Sequence, residues 1–161
     1  MKLSTKGRYG VMAMVVLAQK KFGSIVPIST LAESQDISIN YLEQIFNKLR
    51  HGGLVKSIRG TSGGYCLTRE PCEITILDIM KAVGETFEIT RCDTSSSKGC
   101  MKNGSARCLT HDLWADLGSV ITGYLEAVTL EILKNREVKG VDHSCFSLPK
   151  KCSRPKKEGS Q

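Results

Sequence analysis

Apolar residues recur at helical spacing near the start of the chain and predict a first helix over about Thr5–Lys21, ending at Gly23. Thr30 and Glu33 follow in a T-x-x-E pattern. Because this pattern satisfies two free backbone donors at a helix start, it predicts a capping box that opens a short helix through about Ser34.

A second helix is predicted after the turn at residues 35–37. Ser38 is placed to cap it, and Gly52-Gly53 ends it. Its apolar positions fall at i, i+3, i+4 and i+7, which is typical of one buried stripe, and they are Leu42, Ile45, Phe46 and Leu49. The other faces are polar and carry Asn40, Tyr41, Glu43, Gln44, Asn47 and Lys48. Two short helices joined by a tight turn predict a helix-turn-helix, whose second helix can enter a major groove.

A β-hairpin is predicted directly after these helices. Residues 54–58 and 65–68 have the pattern of short strands, and the glycine-rich loop 59–64 joins them as a wing. The loop glycines, Gly60 among them, let the backbone approach a phosphate, and Arg59 can reach into a minor groove. A helix pair alone is explained equally well by a plain helical hairpin. The wing and the basic charge together favour DNA binding.

The second half of the chain predicts two more helices. One covers about Thr75–Val83 with Gly84 after its end, and Thr110 can cap another that runs to about Lys134, ~37 Å at 1.5 Å per residue. The apolar face of this long helix exceeds the needs of one small domain. It therefore predicts pairing with a second copy in a twofold homodimer, although packing on its own winged helix is the alternative.

These elements predict a mainly α protein with a small β-hairpin wing. We divide it into a winged helix-turn-helix DNA-binding domain at 1–84, a cysteine-rich loop at 85–111, a dimerisation helix at 110–134, and a basic tail at 135–161 that we interpret as disordered.

Charge is distributed unevenly along the chain. Counting Lys and Arg against Asp and Glu, residues 1–70 carry 10 against 4, residues 71–138 carry 7 against 10, and residues 139–161 carry 6 against 2. The net charge of +7 is therefore concentrated in the first half and the tail. A basic winged helix indicates a polyanionic partner, here a double-stranded DNA operator.

Other features narrow the class of protein. No segment approaches the roughly 20 apolar residues that span a bilayer, so we expect no membrane partner and a cytoplasmic protein. Seven cysteines would leave one unpaired in a secreted disulfide framework, which favours reduced thiols or metal ligands. Asp112 adjoins His111, but no other clustered carboxylates or nucleophile motif accompany it, so no enzyme activity is expected.

Three cysteines and a histidine follow one another in a polar loop with the spacing Cys92-x7-Cys100-x7-Cys108-x2-His111. Three thiols and an imidazole suit a tetrahedral zinc or an iron–sulfur cluster. Three exposed thiols in one loop would be open to oxidation, so ligation is favoured over free cysteines. Structural zinc sites prefer tight C-x2–4-C pairs, which this loop lacks. The spacing therefore favours a cluster and leaves zinc as the competing interpretation.

The segments MKLSTKGRYGVMAM, ISINYLEQIFNKLRHGGLVKSIRGTSGGY and RC…C…CLTHDLW resemble a family of small winged-helix repressors, and in particular its iron–sulfur-cluster-responsive transcription factors. The resemblance covers roughly residues 1–135. It implies a homodimer with one 2Fe-2S cluster per subunit on Cys92, Cys100, Cys108 and His111. It also implies repression of cluster-biogenesis genes when clusters are plentiful. A zinc-stabilised repressor and a nitric-oxide sensor are the alternatives.

The resemblance also assigns DNA-contacting positions. Tyr41, Glu43 and Gln44 of the second helix and Arg59 of the wing match them, whereas Asn40 stands where the family usually has serine. Ser38, at the start of the same helix, is also a candidate DNA-binding residue. Glutamate accepts a hydrogen bond from the cytosine amine but repels phosphate, so Glu43 can penalise a site with the wrong base.

Overall fold

The structure, a computed structural model, describes residues 4–86 and 109–135. In these residues the elements are, in chain order, α1 (Thr5–Gln19), α2 (Ile28–Glu33), α3 (Ile39–His51), β1 (Val55–Ile58), β2 (Gly64–Leu67), a 3₁₀ turn (Pro71–Glu73), α4 (Ile76–Val83), α5 (His111–Ala127) and α6 (Leu130–Lys134). The predicted mainly α fold with a small β-hairpin is confirmed.

The core lies where α1, α3, α4 and α6 pack together, with α2 against α3. Burying a large aliphatic or aromatic side chain contributes roughly 1.5–3 kcal/mol. Each of these helices supplies at least one fully buried large side chain, and examples are Met14, Leu31, Phe46, Ile79 and Leu130.

The second helix of the helix-turn-helix, α3, is held on the core by the predicted stripe. Leu42, Ile45, Phe46 and Leu49 are all buried. Ile37 precedes the N-cap Ser38 and is buried together with Leu42, the pattern of a hydrophobic staple that fixes how the chain enters a helix. The exposed face of α3 therefore has a defined orientation.

The wing is a hairpin in which β1 pairs antiparallel with β2, from Val55 opposite Leu67 to Ile58 opposite Gly64. An isolated bridge adds Val26 to the free edge of β2, through Val26 N–H to Tyr65 O and Tyr65 N–H to Val26 O, each 2.9 Å. The rings of Tyr65 and Phe46 lie 4.6 Å apart between centroids, which fixes the hairpin to α3.

The start of α2 differs from the prediction. The helix begins at Ile28 with Pro27 at the N-cap, and no side chain caps it. Thr30 lies inside the helix, so the capping box predicted for Thr30 and Glu33 is wrong. The physical reason is Pro27, which adopts φ −60° and ψ 143° and places the N-cap three residues earlier than Thr30. The first helix, α1, also ends at Gln19, two residues before the predicted Lys21.

The continuous helix predicted from Thr110 to Lys134 is interrupted after Ala127. There the chain becomes extended and pairs with the strand-like segment before α4, through Ile76 N–H to Val128 O at 2.9 Å and Leu130 N–H to Ile74 O at 3.0 Å. The Thr129 hydroxyl then caps α6 by accepting from Ile132 N–H at 3.3 Å. Since Val128 and Leu130 are buried, the last turns pack on their own domain.

The predicted loop at 85–111 and tail at 135–161 fall mostly outside the described residues, and this division into domains remains a prediction. Among residues 4–86 and 109–135, no helix is long and apolar enough to cross a membrane.

Candidate functional site

The exposed face of α3 carries the sequence-predicted DNA-contacting side chains. Ser38, Asn40, Glu43 and Gln44 are exposed, as expected for residues that read a partner. Ser38 occupies the N-cap, but its hydroxyl makes no capping hydrogen bond to the described backbone. The side-chain capping role predicted for Ser38 at the start of α3 is therefore wrong.

Tyr41 differs from its neighbours because it is half-buried. Its ring packs edge-on against Tyr9 of α1, with centroids 6.1 Å apart and planes at 84°. This contact holds the Tyr41 ring against the core.

Two contacts at the carboxyl end of α3 hold it against α4. The Lys48 ammonium donates to Val83 O at 3.0 Å and so satisfies one of the carbonyls left free at the end of α4. A Cβ on Gly52 would lie 2.7 Å from Ala82 Cβ, which means that glycine permits the two helices to approach closely here. The sequence pattern places Lys48 on a polar face and gives no sign of this contact, because the partner carbonyl is remote in sequence.

The wing loop exposes Arg59 and Gly60 to solvent. Gly60 has φ +125°, a conformation that L side chains rarely adopt, and its carbonyl accepts from Gly63 N–H at 2.9 Å. This bond closes a tight turn at the hairpin tip. The fold therefore brings the predicted residues of α3 and of the wing onto one helix–hairpin unit joined through Phe46 and Tyr65.

Of the four predicted metal ligands, the structure describes only His111. Cys92, Cys100 and Cys108 lie outside the described residues. His111 is the first residue of α5 and is buried, one of two buried polar residues in the described chain. Elsewhere in residues 4–86 and 109–135, no group of three or more His, Cys, Asp or Glu side chains could hold a metal ion. A soft donor set of three thiols with a sheltered imidazole fits the chemistry of an iron–sulfur cluster or zinc.

The amino-terminal half of α5 presents apolar side chains to solvent. Leu113, Leu117 and Val120 are 60%, 41% and 57% exposed, and they lie at i, i+4 and i+7 on one face. Within the described residues, α5 packs mainly against α4. We call these three residues the α5 stripe.

A further exposed residue, Ile39, was not singled out by sequence reasoning. It begins α3 and is 45% exposed beside the predicted DNA-contacting residues. Its exposure could have been predicted from the sequence, because Ile39 lies outside the i, i+3, i+4, i+7 stripe that is buried in that helix.

Comparison with known proteins agrees with this arrangement. A family model described as Rrf2, iron-dependent transcriptional regulator, matches residues 3–136. A relative from Photorhabdus laumondii, named HTH-type transcriptional regulator IscR, is 44% identical over 142 residues, which cover 88% of this chain and 84% of the relative. A protein of the same name from Escherichia coli is 43% identical over 142 residues, covering 88% and 85%.

Solved structures give the same result. CymR of B. subtilis, described as its global cysteine regulator, is 34% identical with a TM-score of 0.69, over 83% of this chain and 96% of CymR. IscR of T. potens is 36% identical with a TM-score of 0.63, over 83% and 85%. The resemblance predicted from the three sequence segments is confirmed.

Proposed function

The chain belongs to the Rrf2 family of iron-dependent transcriptional regulators, and on that premise we propose that it is a homodimeric repressor that binds operator DNA and holds a 2Fe-2S cluster on Cys92, Cys100, Cys108 and His111. Cluster occupancy changes DNA binding, so that genes for cluster biogenesis are repressed when clusters are plentiful. The protein works in the cytoplasm.

The main support for DNA binding is the α3 face, where exposed polar side chains stand on a fully buried apolar stripe. A recognition helix needs this combination, because its base-reading groups must reach the groove from a fixed backbone. Asn40 and Gln44 carry amides that can pair with adenine, and each good bidentate pair contributes about 1–3 kcal/mol of discrimination. Arg59 of the wing supplies a cation for the backbone or a minor groove.

Glu43 acts chiefly by exclusion. Its exposed carboxylate can accept from a cytosine amine, but it meets repulsion from phosphates and from the acceptor-rich edge of guanine. We therefore expect Glu43→Ala to bind a wider range of sequences with little loss of affinity. A variant that bound fewer sequences would contradict this role.

The α5 stripe supports a homodimer. Three large apolar side chains on one helix face are costly to leave in water, and a second copy of the same face is self-complementary under twofold symmetry. A twofold dimer also presents two α3 helices. We expect the operator to be a near-palindrome whose half-sites are about one helical turn, or a multiple of it, apart.

The cluster site is supported by its donors and by the position of His111. His111 is buried at the start of α5, which restricts the orientation of its imidazole, and in the sequence Cys92, Cys100 and Cys108 precede it. When bound, the cluster supplies a redox-active, oxygen-labile group whose presence reports cluster supply.

The residues around α4 provide a route from this site to α3. Glu85 follows the end of α4 and accepts a hydrogen bond from the Ser4 hydroxyl, so the start of the cysteine loop is tied to α1. The other end of the loop leads to α5, which packs on α4. Because Lys48 and Gly52 contact the end of α4 directly, a shift of α4 displaces α3. Couplings between sites are typically about 1–3 kcal/mol.

The test of the cluster is purification without oxygen, with an absorption spectrum and assays of iron, sulfide and zinc on one sample. We expect visible charge-transfer bands with about two iron and two sulfide per chain. Cys92→Ala, Cys100→Ala and Cys108→Ala should each lose these bands and remain folded. The matched control is Cys72→Ala, a half-buried thiol outside the predicted ligand set, which should keep them.

Two other outcomes would change the proposal. A colourless protein with stoichiometric zinc would leave a DNA-binding repressor and overturn cluster sensing. Full cluster occupancy in the three cysteine variants would overturn the ligand assignment. DNA binding itself is tested by selecting duplexes from a random pool with the holo protein and comparing the affinities of holo and apo protein for the selected duplex.

A further inference from the structure

Ile39 has no evident role in holding the fold. Among the described residues, the apolar side chains of this region that pack on the core do not include it. Ile37 and Leu42 occupy the staple positions at the start of α3, and both are buried. As a β-branched residue, isoleucine is also a poorer helix former than alanine or leucine. Neither packing nor helix propensity therefore explains an isoleucine here.

The position of Ile39 is what distinguishes it from other exposed apolar residues, which occur singly on most protein surfaces. It is the first residue of the proposed recognition helix, and the first turns of such a helix contact base edges. It precedes Glu43 by four residues, so the two side chains are neighbours on one flank, with Cβ atoms about 5–6 Å apart. Glu43, like Ile39, is exposed.

The chemistry of the major groove supplies one matching group. Among the four bases, only thymine presents an apolar group there, its 5-methyl, and aliphatic side chains contact it. We propose that Ile39 reads a thymine methyl and so determines part of the operator sequence. This inference rests on the proposed DNA-binding function and names a contact within it.

The spacing of the two side chains constrains the operator. Bases along one strand are about 3.4 Å apart, so side chains about 5–6 Å apart reach bases one or two steps from each other. The thymine read by Ile39 therefore lies one or two base pairs from the pair contacted by Glu43. Both side chains favour pyrimidine edges, since carboxylate accepts from the cytosine amine and isoleucine packs on the thymine methyl.

The experiment removes only the methyl group. Starting from a duplex selected by the holo protein, each thymine is replaced in turn by uracil, which keeps every hydrogen-bonding group. Affinity is measured for the unchanged protein and for Ile39→Ala. We expect one uracil position in each half-site to weaken binding of the unchanged protein about 3- to 5-fold, the value of one buried methyl-sized group. That factor should disappear in Ile39→Ala and be partly kept in Ile39→Val.

The matched control is Ile25→Ala, in the loop between α1 and α2, where the same residue type is 43% exposed. This variant should still bind the uracil-substituted duplex about 3- to 5-fold more weakly than the thymine duplex. If no uracil position matters, or if its effect persists unchanged in Ile39→Ala, the inference is wrong although DNA binding stands. If no duplex can be selected at all, the proposed function fails and the inference fails with it.

Discussion

Replacing Gly64 with alanine would test how the wing is attached. Gly64 begins β2, and a Cβ built on it would lie 2.3 Å from Val26 O and 2.6 Å from Val26 C. Both are backbone atoms, which cannot rotate away as a flexible side chain would. The backbone angle of Gly64 is not left-handed, so the substitution introduces a collision and little conformational strain.

The expected loss of stability follows from the contacts between Val26 and β2 that the collision would break. The two hydrogen bonds between Val26 and Tyr65, each 2.9 Å, are worth about 1 kcal/mol apiece. The Val26 side chain is buried, and exposing it would cost about 1.5 kcal/mol more. We therefore expect Gly64→Ala to lower the free energy of unfolding by about 3–4 kcal/mol, a large part of the 5–15 kcal/mol typical of a whole domain.

Urea unfolding followed by far-ultraviolet circular dichroism measures this difference, at one fixed chain concentration because dimerisation would contribute to stability. Gly23→Ala is the control, since Gly23 has φ +81° and a Cβ added to it would meet no atom within 4 Å. Gly23→Ala should lower the free energy of unfolding by only about 1–2 kcal/mol, the cost of placing alanine in a left-handed conformation. Equal losses in the two variants would refute the collision argument, because the segment at Val26 would then move freely. Gly64→Ala should also bind the selected duplex more weakly than Gly23→Ala.

Three smaller perturbations test other elements. Leu117→Glu in the α5 stripe should give a monomer in analytical ultracentrifugation, whereas Ser119→Glu on another exposed face of α5 should remain a dimer. If Leu117→Glu were still a dimer, the stripe would be excluded as the interface. Thr75→Ala removes the hydroxyl that accepts from Asp78 N–H at 3.0 Å and should lower the free energy of unfolding by about 1 kcal/mol, a loss that an unchanged urea midpoint would contradict. Asp36 adopts φ +52° in the turn before α3, so Asp36→Ala should lower the free energy of unfolding by about 1 kcal/mol in the same urea assay, whereas Asp36→Gly should lower it little. Equal losses in the two variants would show that the backbone angle is not the cause.

The parts of the fold that were predicted correctly are those fixed by local pattern. The buried stripe of α3 follows from apolar residues at helical spacing, and the wing follows from two short strands around a glycine-rich loop. Gly84 after α4 adopts φ +86°, as a glycine after a helix end commonly does. In each case neighbours in sequence carry all the necessary information.

The parts predicted incorrectly depend on partners remote in sequence or on competing local signals. Ala127 ends α5 because Val128 and Leu130 pair with the segment before α4, although the apolar periodicity continues in helical phase through Val128 to Ile132. At α2 the backbone constraint of Pro27 at the N-cap prevailed over the capping pattern predicted at Thr30. Periodicity shows that a residue can be buried, but not which element it will be buried against.

The candidate site contains two departures from the usual distribution of side chains. Ile39 is apolar and exposed, and His111 is polar and buried. Sequence alone identified His111, because three cysteines precede it, and passed over Ile39, because an apolar residue in a helix is normally assigned to the core. Residues that break local rules without a gain in stability are the ones expected at functional sites. Ile37 and Leu42 occupy the staple positions of α3 and are buried, whereas Ile39 is 45% exposed, and the proposed DNA contact would give this apolar side chain a partner. The thymine methyl has the chemistry for that contact, and the first turn of a recognition helix is where base edges are contacted.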